Sequence, residues 1–467
     1  MTPPEAALGN SFVNPMNWVT RYRVQRPFSR RLRVAPSLLA EAPPPWLLSF
    51  AADAGFDPLA GAFDFLAAAY AGDAARARTA MARLDTGKGA RSVSRLFAEN
   101  DFRKLLVGCF RHALEGGTLD PGKAGLLLDF ARRFDPVFDA FSRGGSAQAA
   151  VPTRLAFDYA GRVPPTLSIV VLVPGGASAR SYDLGQRLLS AFTGAGVVCR
   201  LVPSESDPGE IGAADLVLVD ENTVFRKDPE KQQAHLDRLR QVARRLGRLV
   251  PDPWGKGFRE QLARGIDRYD LVWAMAPTLR DAAPIAGEKF CLIPFPSGFA
   301  RVFDGIAAAA PLPAIGFCGA IEDYNHHRYF WLLSALAGAM DLKIALTSQQ
   351  PDGLDVEASY GLYLERLLET AACLSLTMRS TGDRILVGRT FDVLRGSRLL
   401  IQEYTPDARF YLAPGEDFVE IQGAEDLREV HGRFRAGDYE AVRRQGAETF
   451  RRAYSDDAVI RHLATFL

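Results

Sequence analysis

The sequence predicts two consecutive doubly wound α/β units behind a helical extension. Ser168-Ile169-Val170-Val171-Leu172-Val173 is an unbroken apolar run of strand length, the kind buried on both faces of a parallel sheet. From there onward, strand-like and helix-like runs alternate, which is the order of βαβ units. Leu312-Pro313 interrupts the alternation, and a second series of similar length follows.

At 467 residues, and about 100–200 residues per domain, the chain holds roughly two to four domains. Hydrophobic residues make up 48% and charged residues 24%, the balance of a soluble globular protein. A formal net charge of +1 gives no electrostatic case for nucleic acid or an anionic membrane. Arginine outnumbers lysine, which reads as genomic base composition. Cys109, Cys199, Cys291, Cys318 and Cys373 form no Cys-x-x-Cys pair and mostly sit in apolar runs, so they read as small core residues of a reducing compartment. Met1-Thr2-Pro3-Pro4-Glu5 has no basic region leading into an apolar one, and no uncharged run nears the ~18 residues of a membrane span. A cytoplasmic location is expected.

In chain order, residues 1–45 are rich in Pro and Arg and read as an extended arm ending at Pro43-Pro44-Pro45. Residues 46–150 carry helical periodicity in Leu47 to Ala51, Phe63 to Tyr70, Phe102 to Leu114 and Leu126 to Phe138. Gly and Pro punctuate these runs, and Gly144-Gly145-Ser146 closes the unit as a linker. Residues 151–311 form the first lobe. After Leu172 come a helix from about Tyr182 to Gly194 and strands at Val197 to Val202, Leu216 to Val219, Arg248 to Val250, Leu271 to Ala274 and Cys291 to Ile293. A helix from Pro229 to Leu246 lies among them. Residues 312–467 form the second lobe. Its strands are Ala314 to Gly319, Leu342 to Leu346, Ala372 to Thr377, Leu399 to Gln402 and Phe418 to Ile421, and its tail is helical, with Ser455 placed to cap the last helix.

Ligands bind beyond the carboxyl ends of the strands in open α/β sheets, and two such lobes face those edges across a cleft. This selects a few loops. Gly319 ends a strand and lets backbone approach a ligand; Asn325 is placed to cap the following helix, and His327 and Arg328 fall in its first turn, where N–H groups and the helix dipole favour a phosphate. The plain alternative is a strand-helix turn with exposed histidines. Asp220-Glu221 follows a first-lobe strand and is the best placed carboxylate pair for a general base, or else a solvated acidic turn. Pro174-Gly175-Gly176-Ala177-Ser178-Ala179-Arg180 is neither Gly-x-Gly-x-x-Gly nor a phosphate-binding P-loop. Glu403 ends a strand, where it touches a ligand or caps a turn; Thr405 before Pro406 signals a helix start. No Asp-x-Asp follows a strand and there is no Gly-x-Ser-x-Gly elbow.

The most specific stretch is Arg389-Thr390-Phe391-Asp392-Val393-Leu394-Arg395-Gly396-Ser397, followed by the apolar run Leu399-Leu400-Ile401-Gln402-Glu403. It resembles the donor-sugar segment of two-lobed, GT-B type glycosyltransferases, in particular the CgeB-like branch of the glycosyl transferase family 1 superfamily, whose members carry Arg-x-Phe-Glu-x-x-x-x-Gly here. The resemblance implies two Rossmann-like lobes and a bacterial glycosyltransferase. The first lobe would be on the acceptor side, with Gly175, Gly176 and Arg180 in its loop and Asp220 as base. The second would hold a nucleotide-sugar donor through Gly319, Asn325, His327, Arg328, Arg389, Thr390, Asp392, Gly396 and Glu403.

Within that set, Arg389 would neutralise the departing diphosphate and Asp392 would bond the ribose, one methylene shorter than the family's Glu. The second Glu of retaining members, eight positions earlier, is Arg384 here. Without the resemblance, Arg389 and Asp392 are an i,i+3 pair on a surface helix. No cofactor is expected, the missing Asp-x-Asp points away from a metal and the net charge away from a nucleic-acid partner, while the resemblance implies a protein or glycan acceptor. The helical unit would dock an acceptor protein or a second copy, so that removing residues 1–145 spares donor binding. The rivals are a non-catalytic two-lobed interaction module and a sugar-nucleotide epimerase.

Overall fold

The computed structural model describes residues 57–85, 100–135, 138, 166–173, 179–204, 206–220, 229–251, 266–279, 289–321, 327–347, 353–378 and 384–467. The expected arm and the linker near Gly144 lie outside them. Among the described residues four helices come first: α1 Asp57–Ala71, α2 Ala74–Leu84, α3 Asn100–Glu115 and α4 Pro121–Phe134. Asp73 and Asp120 cap α2 and α4 by accepting the N–H groups of Arg76 and Lys123.

The first lobe comprises β1 Ser168–Val173, α5 Ala179–Gly194, β2 Val198–Pro203, α6 Pro208–Ile211, β3 Ala214–Asp220, α7 Pro229–Leu239, β4 Ala243–Val250, β5 Leu271–Ala274 and β6 Phe290–Leu292. All six strands are parallel, in the order β2-β1-β3-β4-β5-β6. β1 is buried from Ile169 to Val173, as its unbroken apolar run requires. The helix expected to reach Leu246 stops at Leu239, and Ala243–Val250 is a strand. Arg244 and Arg245 are good helix formers and mask the strand's start; its buried half, Leu246 to Val250, fills the space between β3 and β5.

The second lobe comprises α8 Ala300–Ala307, β7 Leu312–Gly319, α9 Arg328–Ala337, β8 Leu342–Leu346, α10 Val356–Leu368, β9 Thr370–Ser375, α11 Arg389–Arg395, β10 Leu399–Glu403, α12 Pro406–Tyr411 and β11 Val419–Ile421. Its parallel sheet runs β11-β10-β9-β7-β8. Read from the β8 edge, this is the 2-1-3-4-5 order that the first lobe also begins with. The strand order therefore reverses between β1 and β3 in one lobe and between β7 and β9 in the other. Pro313 enters β7 where the register shifts between Leu312 and Ile315, so the ladder does not need its missing N–H. The change of lobe comes earlier than Leu312: α8 already packs on α10, with Val302 against Gly361, and residues 293–299 make the crossing.

Three helices finish the chain, α13 Ala424–Ala436, α14 Glu440–Ala453 and α15 Asp456–Ala464. α14 lies on α11 and β10. α15 returns to the first lobe, where Val459, Ile460 and Leu463 join Leu188 and Phe192 in one apolar cluster. Ser455 caps it, accepting from the N–H of Ala458. The Asp456 carboxylate receives the N–H groups of Ser297 (2.9 Å) and Gly298 (3.2 Å) in the crossing, and Arg395 Nη1 reaches it at 3.3 Å.

Gly298 has a φ of 66°, and a Cβ on it would lie 2.5 Å from the Arg187 carbonyl oxygen. Gly298→Ala therefore combines a left-handed backbone with a clash that no rotamer relieves. We expect it to cost about 1–3 kcal/mol, read as a lowered urea midpoint at unchanged slope.

The helical extension packs against the second lobe. α4 packs on α9, Phe110 meets Tyr329 edge-on with ring centroids 5.0 Å apart, and Phe138 meets Phe330 at 5.1 Å. Every residue from Arg328 to Ala335 is buried, because α9 is covered on its outer side as well as by the sheet. One apolar core runs from Ala62 through the second-lobe sheet to Tyr439. A helix facing solvent would have one apolar stripe; Tyr329-Phe330-Trp331-Leu332-Leu333 is apolar all round.

Candidate functional site

The carboxyl ends of the two sheets face each other. Just past β5, Thr278 donates its N–H to Asp407 Oδ1, just past β10, at 3.0 Å. The switch point of the second lobe, between β7 and β9, opens on this cleft. β7 ends there at Gly319, and Arg389, the first residue of α11, brings its guanidinium against that glycine: a Cβ on Gly319 would overlap it. The guanidinium also lies over the Phe317 ring, 5.4 Å from its centroid. Arg389 Nε and Nη1 are buried without a hydrogen-bond partner among the described residues. Buried donors are seldom left unmet, because each forfeits its hydration.

One turn along α11, Asp392 is 2% exposed. Its Oδ1 accepts from the Tyr360 hydroxyl at 2.9 Å and from Ser297 Oγ at 3.0 Å, and Arg187 Nη2 stands 3.8 Å away. Burial is the main cause that pushes the Tyr360 phenol well above its ordinary pKa; Arg187 opposes this and Asp392 adds to it, so Tyr360 stays a donor. Burial likewise pushes the Cys318 thiol up to about 11 despite Arg389 and Arg366 nearby, which makes it an inert neighbour.

Other expected contacts are engaged within the protein. Glu403 is buried and accepts the N–H groups of Thr377 (2.6 Å) and Met378 (3.0 Å), together with Trp331 Nε1 at 3.3 Å. It thus caps the turn after the neighbouring strand β9, not the one after its own strand. Thr390 Oγ1 donates to Gln402 Oε1 at 2.8 Å inside the lobe. His327 and Arg328 are buried, not exposed in a first turn, and Arg328 Nη1 donates to the Ala320 carbonyl at 2.7 Å, pinning the loop after β7.

Gly396 closes α11 at a φ of −69°, and Ser397, at 54°, takes the left-handed position. The glycine is needed for packing, since a Cβ would lie 2.5 Å from Leu368. Arg384 donates from Nη1 to the Tyr404 carbonyl at 3.1 Å and lies over that ring. Asp220 is buried at the carboxyl end of β3. Gly175, Gly176 and Asn325 lie outside the described residues, as does the side chain of Arg180.

The structure therefore brings together Gly319, Arg389 and Asp392 from the sequence set, and adds Arg187, Ser297 and Tyr360. Arg187 and Tyr360 sit in helices with no motif around them. Only Pro296-Ser297-Gly298 carried a signal, a glycine turn between two series of strands.

Two all-parallel sheets of matching strand order, joined by a short crossing and tied by a returning helix, make this a two-lobed α/β protein of the GT-B type. No protein-family model matches the sequence, and no curated protein matches it. Among solved structures it is similar to Anabaena HepE in complex with UDP and glucose (9% identity, TM-score 0.43), covering 64% of this chain and 98% of that one. It is also similar to sucrose-phosphate synthase from Thermosynechococcus elongatus (12%, TM-score 0.44, 64% and 98%). A third is an alpha-glucosyltransferase in complex with UDP and a 13-mer DNA (9%, TM-score 0.46, 64% and 99%). No helix among the described residues is long and apolar enough to cross a membrane.

Proposed function

We propose that this chain is a glycosyltransferase moving a sugar from a nucleoside-diphosphate donor, held by the second lobe, to a protein or glycan acceptor on the first-lobe side. The observation that carries the reading is Arg389: two buried guanidinium nitrogens without a partner among the described residues, at a switch point, beside a strand end kept bare by Gly319. An anion with forked oxygens meets both donors, as a diphosphate does. Charge on that diphosphate grows as the bond to the sugar breaks, so donors already in place stabilise the transition state more than the ground state. The reading needs no metal ion. Asp392 Oδ2, which takes none of the bonds made to Oδ1, is the acceptor for a ribose hydroxyl. Asp220, at the opposing strand end, is the candidate base for the acceptor hydroxyl.

The test is calorimetry with UDP, GDP and dTDP, followed by donor hydrolysis and transfer with the matching sugar nucleotides, with and without EDTA. Donor consumption that yields free or transferred sugar supports the reading; interconversion of donors with no acceptor, or binding of none, sinks it. Asp392→Ala is expected to weaken nucleoside-diphosphate binding by about 1.5–3 kcal/mol, the scale of a hydrogen bond to a charged group. Unchanged affinity in the folded variant would remove Asp392 from the site.

A further inference from the structure

Asp392 is held by three segments that are far apart in the chain, and all three act on one oxygen. Tyr360 comes from α10 in the second lobe, Ser297 from the crossing, and Arg187 from α5 in the first lobe. Arg187 is not a loose surface cation. Its Nε donates to the Ser297 carbonyl at 3.0 Å, its Nη2 to the Pro296 carbonyl at 3.4 Å, and its guanidinium lies over the Tyr360 ring, 4.9 Å from the centroid. A long side chain fixed by two carbonyls and a ring keeps its charge near Oδ1 without rotating away, and none of the described residues donates to Oδ2.

We propose that Arg187 is a positioning residue of the nucleotide site supplied by the first lobe: with Tyr360 and Ser297 it fixes Asp392 so that Oδ2 receives the ribose. This rests on the donor reading above. Ribose recognition by the second lobe then depends on the first lobe being in contact with it. Arg187 acts on the nucleoside half of the donor and leaves the diphosphate to Arg389.

The experiment compares UDP and GDP with inorganic pyrophosphate, which has no ribose, by calorimetry on the full chain. Arg187→Gln should weaken nucleoside-diphosphate binding about tenfold and leave pyrophosphate unchanged. Arg187→Lys should restore part of the loss, since an ammonium keeps the charge but not the fork. The double variant Arg187→Gln/Asp392→Ala should bind no worse than Asp392→Ala alone, because one residue works through the other. An equal loss for pyrophosphate, or additive losses in the double variant, overturns the proposal.

Small-angle scattering without ligand gives a second readout. The radius of gyration should rise in Arg187→Gln, and an unchanged radius removes the tie between the lobes. A wild-type chain that binds none of the three ligands ends the donor reading, and the ribose role of Arg187 with it. Wild-type binding that Arg187→Gln leaves intact ends the proposal alone.

Discussion

Alanine at Arg389 is expected to lower turnover by about 10²–10³-fold, the scale of removing one preorganised donor from a developing anion. The guanidinium lies against Gly319 and over Phe317, so its position is set before any ligand arrives. Preorganised donors act most where charge is greatest, and that is the departing diphosphate, not the bound donor. Ground-state affinity should therefore fall much less than turnover. Arg389→Lys should recover only part of the rate, since one ammonium cannot serve two oxygens as a planar fork does. The measurement is steady-state transfer beside calorimetry with the nucleoside diphosphate. Equal losses in affinity and rate would make Arg389 a plain binding residue, and no loss in either would leave α11 a structural helix.

The largest stability effect is expected at the layer between the helical extension and the second lobe. Phe110 is fully buried against Tyr329, and Phe110→Ala should cost about 3–5 kcal/mol, the range for a large core aromatic. Removing residues 1–145 should do more. It bares Tyr329 and Phe330 along α9, an apolar surface that water does not cover without a large free-energy cost. We expect the truncated chain to aggregate or to lose its cooperative transition, judged by thermal unfolding and light scattering. A soluble truncation with wild-type nucleotide affinity would restore the independent helical domain that the sequence suggested.

That contrast shows what was legible. Strand-forming runs such as Ile169 to Val173 and Leu399 to Ile401 are buried on both faces, so their composition alone reports the sheet. β4 was half hidden because Arg244 and Arg245 suit a helix, and only burial beyond Leu246 overrides them. The Arg389–Gly396 segment could be placed on a turn at a strand end because glycine, helix and strand follow in fixed order. What its residues touch could not be read. Glu403 and Thr390 turn inward to backbone and Gln402, and Arg328 to a carbonyl, for reasons that lie in distant segments. Arg187 and Asp392 are more than two hundred residues apart in the chain, and no local pattern records a meeting of that kind.

Among the described residues, two passages lead from one lobe to the other, residues 293–299 and the step from α14 to α15. Asp456 bonds the two passages to each other through the Ser297 and Gly298 N–H groups, so they form a single axle. Asp392, bonded to Ser297, lies beside this joint, so a change at the crossing reaches its carboxylate directly. Cleavage of the crossing by a protease would leave the lobes still joined by the second passage.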